Sequence, residues 1–240
     1  MKILAVGIHI DDIEYGVGGT TALLTQKGHE VVYLNIQHYN HHKGGDEKVD
    51  KQSIEAAQIL GARKIILDYN ETKYYKNNER SVREVQEIIK QENPDIMFIM
   101  HPKDNHIDHV ECAKTAREAI FGAAVEGVCP NEIYTYRTGA WQSGCYFVPD
   151  FTINVEAVYG KVKECVTHFG AERANGERLF RAKDILARYT GNANFVNVAE
   201  GFKIYKYPRD NNDFYLRTLL NDEFRWSGTN MYYPQSELFL

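Results

Sequence analysis

The chain has 240 residues, of which 25% are charged and 43% hydrophobic, a composition typical of a globular protein with a full core. Its net charge of -5 argues against nucleic-acid binding, because proteins that bind nucleic acids usually contain a basic domain. No apolar run approaches the roughly 20 residues of a membrane-spanning helix, and we expect no secretory leader. The four cysteines form no C-x-x-C pair, so we expect reduced thiols in a cytoplasmic protein.

Strand and helix patterns alternate along the first hundred residues. Strands are predicted at 2–8, 30–36, 64–67 and 95–100, and helices at 16–27, 49–60 and 79–91. The fourth strand is almost wholly apolar, as is typical of a strand covered on both faces. This alternation predicts right-handed crossovers and an α/β fold with a parallel sheet.

The remainder of the chain is less regular. A loop at 101–106 precedes a long helix, and further elements are predicted as helices at 107–126, 156–169 and 177–189 and strands at 132–137, 151–155 and 201–207. Residues 208–240 show no clear period. We therefore expect a domain over residues 1–207 and a C-terminal tail, 208–240, that packs on this domain or on a neighbouring subunit.

One imidazole and two adjacent carboxylates, those of His9, Asp11 and Asp12, follow the first predicted strand. In an open α/β sheet, the carboxyl end of such a strand faces the binding crevice. An imidazole and a carboxylate suit zinc, and one turn cannot easily supply two carboxylate ligands. We therefore infer that one carboxylate binds a metal and the other acts as a general base. The alternative is that Asp11 or Asp12 only caps the following helix.

A second cluster, His101 to His109, follows the fourth predicted strand and should emerge at the same edge of the sheet. His106 and His109 are three residues apart at a helix start, which places both on one face. One can bind a metal while the other donates a proton or a hydrogen bond, and Asp108 can hold the second nitrogen of an imidazole. Singly, each histidine fits a solvated loop, but the two clusters together favour a metal site.

Three segments resemble the PIG-L/LmbE-like deacetylase family. Residues 5–20 resemble its motif A-H-P-D-D-x-E-x-G-x-G-G-T, residues 101–113 resemble P-x-D-x-H-x-D-H-x-x-x-A, and residues 199–202 resemble A-E-x-F. His168 falls near the histidine of the last helix of the family. The resemblance implies a Rossmann-like three-layer sandwich with a mostly parallel sheet and an irregular C-terminal part.

The resemblance also implies an activity: zinc-dependent removal of acetyl from an N-acetylglucosamine conjugate. The implied zinc ligands are His9, Asp12 and His109. Asp11 would be the general base, His106 would stabilise the oxyanion and protonate the leaving amine, and Asp108 would orient His106. Fe²⁺ or another divalent ion is an alternative to Zn²⁺, and we expect a small-molecule substrate and a homo-oligomer.

Two other functions stay open on the sequence alone. One is a metal-dependent amidohydrolase of another N-acyl substrate, and the other is a non-catalytic sugar-binding module on a Rossmann-like sheet. The Gly16-x-Gly18-Gly19 spacing is compatible with the binding module, but it lacks the G-x-G-x-x-G order of nucleotide-binding loops.

The chain departs from the family motifs at several positions. Ile10 and Ile107 replace prolines, and both can be apolar packing residues. The loop after the second strand lacks the usual arginine for substrate binding, and Lys48 and Lys51 are the nearest basic candidates. Three nearby histidines suggest either a second metal site or, as we favour, a solvated loop: His38, His41 and His42. Cys112 could be a thiolate ligand, but a buried apolar position is favoured.

Overall fold

The computed structural model describes residues 1–38, 46–69, 74–139, 147–170, 176–206 and 214–227, which form one mixed sheet with helices packed against it. The strands are β1 (Lys2–Gly7), β2 (Glu30–Asn35), β3 (Arg63–Ile66), β4 (Ile96–Met100), β5 (Glu132–Tyr136), β6 (Phe151–Asn154), β7 (Ala199–Lys206) and β8 (Phe224–Trp226). The helices are α1 (Asp12–Gln26), α2 (Glu47–Ile59), α3 (Glu79–Glu92), α4 (Ile107–Val125), α5 (Tyr159–Gly170), α6 (Gly176–Asn192) and α7 (Tyr215–Leu219).

The sheet has a parallel half and an antiparallel half. Its strand order is β3-β2-β1-β4-β5-β7-β6-β8. β1 to β5 pair in parallel, whereas β7 runs antiparallel to both β5 and β6, and β8 antiparallel to β6. The predicted three-layer α/β sandwich with a mostly parallel sheet is confirmed.

The order of the parallel strands places a crevice between β1 and β4. Right-handed crossovers put α1 and α2 on one face of the sheet, where both pack against α5, and α3 and α4 together on the other face. The winding direction reverses between β1 and β4, so their carboxyl ends diverge into a topological switch point. Both histidine-containing loops leave the sheet at this point.

Helix α1 begins at Asp12, four residues before the predicted start at Gly16. All of its residues from Asp12 to Leu24 are buried, because the helix lies between the sheet and α5. Glycine at position 16 is required by close packing, since a Cβ atom there would collide with the ring of Tyr136. Sequence periodicity missed this first turn because a helix that is buried all round has no polar face to mark it.

Part of the predicted tail is integrated into the sheet. β8 pairs with β6, and the buried Glu132 carboxylate accepts N–H groups from Tyr215 and from Leu216 at the start of α7. The sequence predicts no helix or strand in this region, whereas the structure contains α7 and β8. Both elements are too short to show a periodic pattern of apolar residues. Residues 208–213 and 228–240 lie outside the described ranges, and the division at residue 207 stays a prediction. No helix of the described ranges is long and apolar enough to cross a membrane.

Candidate metal centre

The turn between β1 and α1 brings a histidine and two aspartates to the crevice. The Asp12 Oδ2 atom accepts the backbone N–H groups of Ile8 (3.2 Å) and His9 (2.7 Å). These bonds reach back into the turn and not forward to the helix. Asp11 precedes the helix, but its side chain makes no capping hydrogen bond. A simple helix-capping role therefore explains neither carboxylate.

The loop after β4 supplies two further imidazoles from the start of α4. His106 occupies the residue before the helix, and its Nδ1 accepts the N–H of Asp108 at 3.3 Å. His109 lies in the first helical turn and is buried. The two rings stack with their centroids 4.6 Å apart, so the helix start presents both imidazoles together, as their spacing predicts.

His9, Asp12 and His109 converge on one point of the crevice. Asp12 Oδ1 lies 3.3 Å from His109 Nε2, and Asp12 Oδ2 lies 3.4 Å from His9 Nδ1. One ligand atom from each of the three residues lies within 4.8 Å of the others. Imidazole nitrogens and carboxylate oxygens are common ligands of divalent metal ions in proteins. These residues therefore fit a divalent metal ion.

The two histidines of this trio each have a second carboxylate partner. Asp104 Oδ2 lies 3.1 Å from His109 Nδ1, and Asp108 Oδ2 lies 3.2 Å from His9 Nε2. Asp108 is closer to His9 than to His106, whose Nδ1 is 3.9 Å away, although the resemblance implied that it orients His106. The backbone N–H of Tyr75 fixes the other oxygen of Asp108 at 2.9 Å. Such carboxylates orient metal-binding imidazoles and raise their basicity.

Asp104 and Tyr75 are absent from the sequence prediction of the site. Asp104 stands at the aspartate of the P-x-D segment that resembles the family motif, so the sequence did contain a signal for it. Tyr75 contributes only a backbone N–H, which no side-chain pattern can reveal.

The carboxylates around His9 and His109 favour protonation of both imidazoles. Burial lowers the pKa of His9, but Asp12 and a hydrogen bond to Asp108 outweigh burial and raise it to about 10. Burial is likewise opposed by Asp12 and Asp104 at His109, whose pKa rises to about 9. Burial would raise the pKa of Asp12, yet the two imidazoles hold it well below its usual range. A divalent cation at this point would take the place of the two imidazolium protons.

His106 has a different electrostatic environment. Burial and the neighbouring imidazoles of His109 and His9 lower its pKa, so the ring is neutral near pH 7. Because its Nδ1 accepts the N–H of Asp108, the neutral ring carries its proton on Nε2. The side chain is 44% exposed, and this N–H is thus a hydrogen-bond donor at the mouth of the crevice.

The remaining sequence candidates lie in other surroundings. His38 Nδ1 pairs with Asp50 of α2 at 2.5 Å, whereas His41 and His42 lie outside the described residues. Lys51 is exposed and lies 3.9 Å from Glu55, and Lys48 is exposed on the same helix. His168 Nε2 lies 3.2 Å from Glu55 of α2.

Cys112 is fully buried. Burial raises the pKa of the Cys112 thiol well above its usual range, which argues against a thiolate ligand.

The A-E-G-F segment supports α1 from behind the crevice. The Glu200 carboxylate accepts the N–H groups of Gly19 and Thr20, each at 2.8 Å. Lys183 of α6 pairs with Glu200 at 2.5 Å and donates to the carbonyl of Tyr15 at 2.5 Å. The pair is buried and joins α1 to β7 and α6, which makes its role structural.

Two curated relatives carry the name of a deacetylase. The chain is 33% identical over 172 residues to the uncharacterized deacetylase YaiS of Escherichia coli, which covers 67% of this chain and 85% of the relative. It is 29% identical over 132 residues to diacetylchitobiose deacetylase of Thermococcus kodakarensis, over 50% of this chain and 49% of the relative.

Solved structures share the fold at lower sequence identity. GalB, the 4-carboxy-2-hydroxymuconate hydratase from Pseudomonas putida KT2440, aligns with a TM-score of 0.72 and 19% identity over 89% of this chain and 99% of its own. N,N'-diacetylchitobiose deacetylase from Pyrococcus horikoshii aligns with a TM-score of 0.69 and 20% identity over 88% of this chain and 87% of its own. The two names state different reactions, so the fold alone does not define the chemistry.

The sequence model of the PIG-L family, described as GlcNAc-PI de-N-acetylase, matches residues 4–120. That range contains most of β1, all of β2 to β4, both histidine-containing loops and all the residues that converge in the crevice. Together with the Escherichia coli relative, this match shows that the chain belongs to the PIG-L family of de-N-acetylases.

Proposed function

We propose that this chain is a metal-dependent N-deacetylase that removes acetyl from an N-acetylglucosamine-type conjugate. The observation that carries the proposal is the convergence of His9, Asp12 and His109 in one crevice beside Asp11 and His106. The name of the family and the chitobiose deacetylases among the similar proteins support this substrate class.

His9, Asp12 and His109 would hold the ion, and Zn²⁺ suits their nitrogen and oxygen donors. A bound ion would supply Lewis acidity that polarises the amide carbonyl and acidifies the attacking water. Asp104 and Asp108 would keep the two imidazoles oriented toward it. The native metal, the expected homo-oligomer and the expected cytoplasmic location stay predictions.

Asp11 would act as the general base. It neighbours the ligand Asp12 at the head of α1, and its side chain is not engaged in capping the helix. As the water oxygen adds to the acetyl carbon, Asp11 takes one proton. When the C–N bond breaks, that proton passes to the departing amine, so that a free amino sugar and acetic acid are formed, and the acid releases its proton to solvent as acetate.

His106 would stabilise the negative charge that develops on the carbonyl oxygen. Its neutral ring carries a proton on Nε2, and a fixed donor of this kind is worth about 10²–10³ in kcat. A neutral imidazole suits hydrogen-bond donation better than full proton transfer. Of the two roles that the resemblance implied for His106, we therefore assign oxyanion stabilisation.

The deciding experiment combines metal analysis with acetate release. Purified protein should contain about one divalent ion per chain and release acetate from N-acetylglucosamine, diacetylchitobiose or a related glycoside. A chelator should abolish release, and added Zn²⁺ should restore it. Release of acyl groups only from non-sugar amides would support the alternative amidohydrolase. Sugar binding that persists with chelator, without any acetate release, would instead indicate a non-catalytic module.

A further inference from the structure

Behind the first turn, a buried ammonium group contacts the backbone that joins His9 to Asp11. Lys64 lies on β3, and its side chain is 0% exposed. Its Nζ donates to the Ile10 carbonyl at 2.8 Å, to Glu14 Oε1 at 2.5 Å and to Ser53 Oγ at 2.6 Å. These three acceptors match the three N–H bonds of an ammonium group, which is thus fully satisfied.

Other side chains hold the same stretch of backbone. Ser53 is buried on α2, and its Oγ donates to the Ile10 carbonyl at 2.7 Å. Asn35, at the end of β2, donates its Nδ2 hydrogen to the carbonyl of His9. Two consecutive peptide groups of the turn are therefore fixed from β2, β3 and α2. Position 10 is isoleucine, so no proline ring restrains the backbone there.

We propose that Lys64, together with Ser53, is a positioning residue for the metal ligands and the base of the first turn. This inference rests on the proposed function. The Ile10 carbonyl belongs to the peptide group that leads into Asp11. Hydrogen bonds to this carbonyl fix the orientation of the peptide group before Asp11. They therefore fix the position of Asp11 relative to His9 and Asp12.

Energetics favour a positioning role over a purely stabilising one. Lys64 and Glu14 form a buried ion pair, and both lose hydration when the protein folds. Replacing a buried ion pair by apolar side chains of similar volume is often neutral or stabilising. The specific consequence of keeping Lys64 here is the hydrogen bond to the Ile10 carbonyl, which methionine cannot make.

The test is the double variant Lys64→Met with Glu14→Gln, which leaves no unpaired buried charge. We expect its Zn²⁺ dissociation constant, measured by chelator competition, to rise and its kcat for acetate release to fall, each by about 10–100-fold. KM should change by less than about threefold. The visible absorption bands of the Co²⁺-substituted protein should shift, since they report the geometry around the ion.

Two single variants complete the design. Arg63→Met removes the neighbouring cation of β3, which is 49% exposed and pairs with Glu92, and should change none of these quantities. Ser53→Ala removes one donor to Ile10 but keeps the Lys64–Glu14 pair. It should weaken Zn²⁺ binding by about tenfold, and it decides the question if the double variant fails to fold.

A loss of thermal stability with unchanged Zn²⁺ affinity, Co²⁺ spectrum and kcat would overturn the positioning role. If the double variant does not fold, a Ser53→Ala variant with unchanged Zn²⁺ affinity would also overturn the positioning role. If the wild-type protein binds no divalent ion, the proposed function fails together with this inference. If it binds the ion and the variants bind it equally well, only the positioning role fails.

Discussion

The two adjacent aspartates of the first turn have different partners, and this predicts different phenotypes. Asp12 accepts two backbone N–H groups and faces both imidazoles, whereas Asp11 is half-buried and does not cap the helix. Asp11→Asn should therefore keep its metal but lose about 10²–10⁴-fold in kcat, because a general base is removed. Asp12→Asn should lose the metal itself. Metal content and kcat measured together test this, and loss of metal from Asp11→Asn would make Asp11 a ligand.

The raised pKa values of His9 and His109 predict proton-coupled metal binding. With values of about 10 and about 9, both imidazoles are protonated in the metal-free protein at pH 7, and an ion must displace both protons. Affinity should rise about a hundredfold per pH unit up to about pH 9, and about tenfold per unit from there to about pH 10. For two ordinary histidines, it would level off above roughly pH 7.5. Chelator competition at several pH values, with calorimetry in two buffers, measures the slope and the protons released. A plateau above pH 7.5 would contradict the prediction.

At the scale of elements, α1 illustrates how close packing positions the site. Gly16 faces the ring of Tyr136, so that Gly16→Ala must push the helix away from β5 at a cost of about 1–3 kcal/mol. Gly18 offers a matched control, because a Cβ atom there would lie 3.4 Å from Leu60, an ordinary contact. Gly18→Ala should be neutral or stabilising by roughly 0.5–1 kcal/mol. Denaturant unfolding of the two variants gives the comparison, and equal free energies of unfolding would contradict it.

Element types in the parallel half could be predicted because each follows a local pattern. An apolar run such as Ile96–Met100 and the periodic α3 depend only on neighbouring residues. The antiparallel course of β7 and the pairing of β8 with β6 are long-range and leave no such pattern. The start of α1 was missed for a related reason, since burial on all sides removes the polar face.

The grouping of His9, Asp12 and His109 could be predicted at the residue level because two imidazoles and a carboxylate at strand ends are chemically conspicuous, and their role as metal ligands stays a prediction. The side chains that support this site could not be predicted, because the sequence does not reveal that Lys64 and Lys183 are buried. Lysines are mostly exposed, and only the fold shows these two paired with Glu14 and Glu200. The partner of Asp108 could not be predicted either, because its spacing places it between His106 and His109, whereas the fold brings it to His9.

At the scale of the whole molecule, the two halves of the sheet have separate tasks. The parallel half ends in the crevice and carries the converging residues. The antiparallel half packs aromatic rings against one another, with Phe151 in contact with Phe202, Phe224 and Trp226. Glu200 of β7 connects the halves by holding α1. The supporting elements thus come from late in the chain, although the matched family model ends at residue 120.

This division predicts that the parallel half depends on residues 214–227. A chain that ends at residue 213 would lose three buried apolar side chains: Leu216, Leu220 and Phe224. It would also leave the buried Glu132 carboxylate without two of its N–H donors. The lost burial amounts to roughly 5–9 kcal/mol, comparable to the whole stability of a domain. We expect this chain to aggregate, whereas a chain that ends at residue 227 keeps every described element and should unfold cooperatively. Denaturant unfolding and mass in solution compare the two, and a folded, metal-binding protein ending at residue 213 would show that the parallel half is self-sufficient.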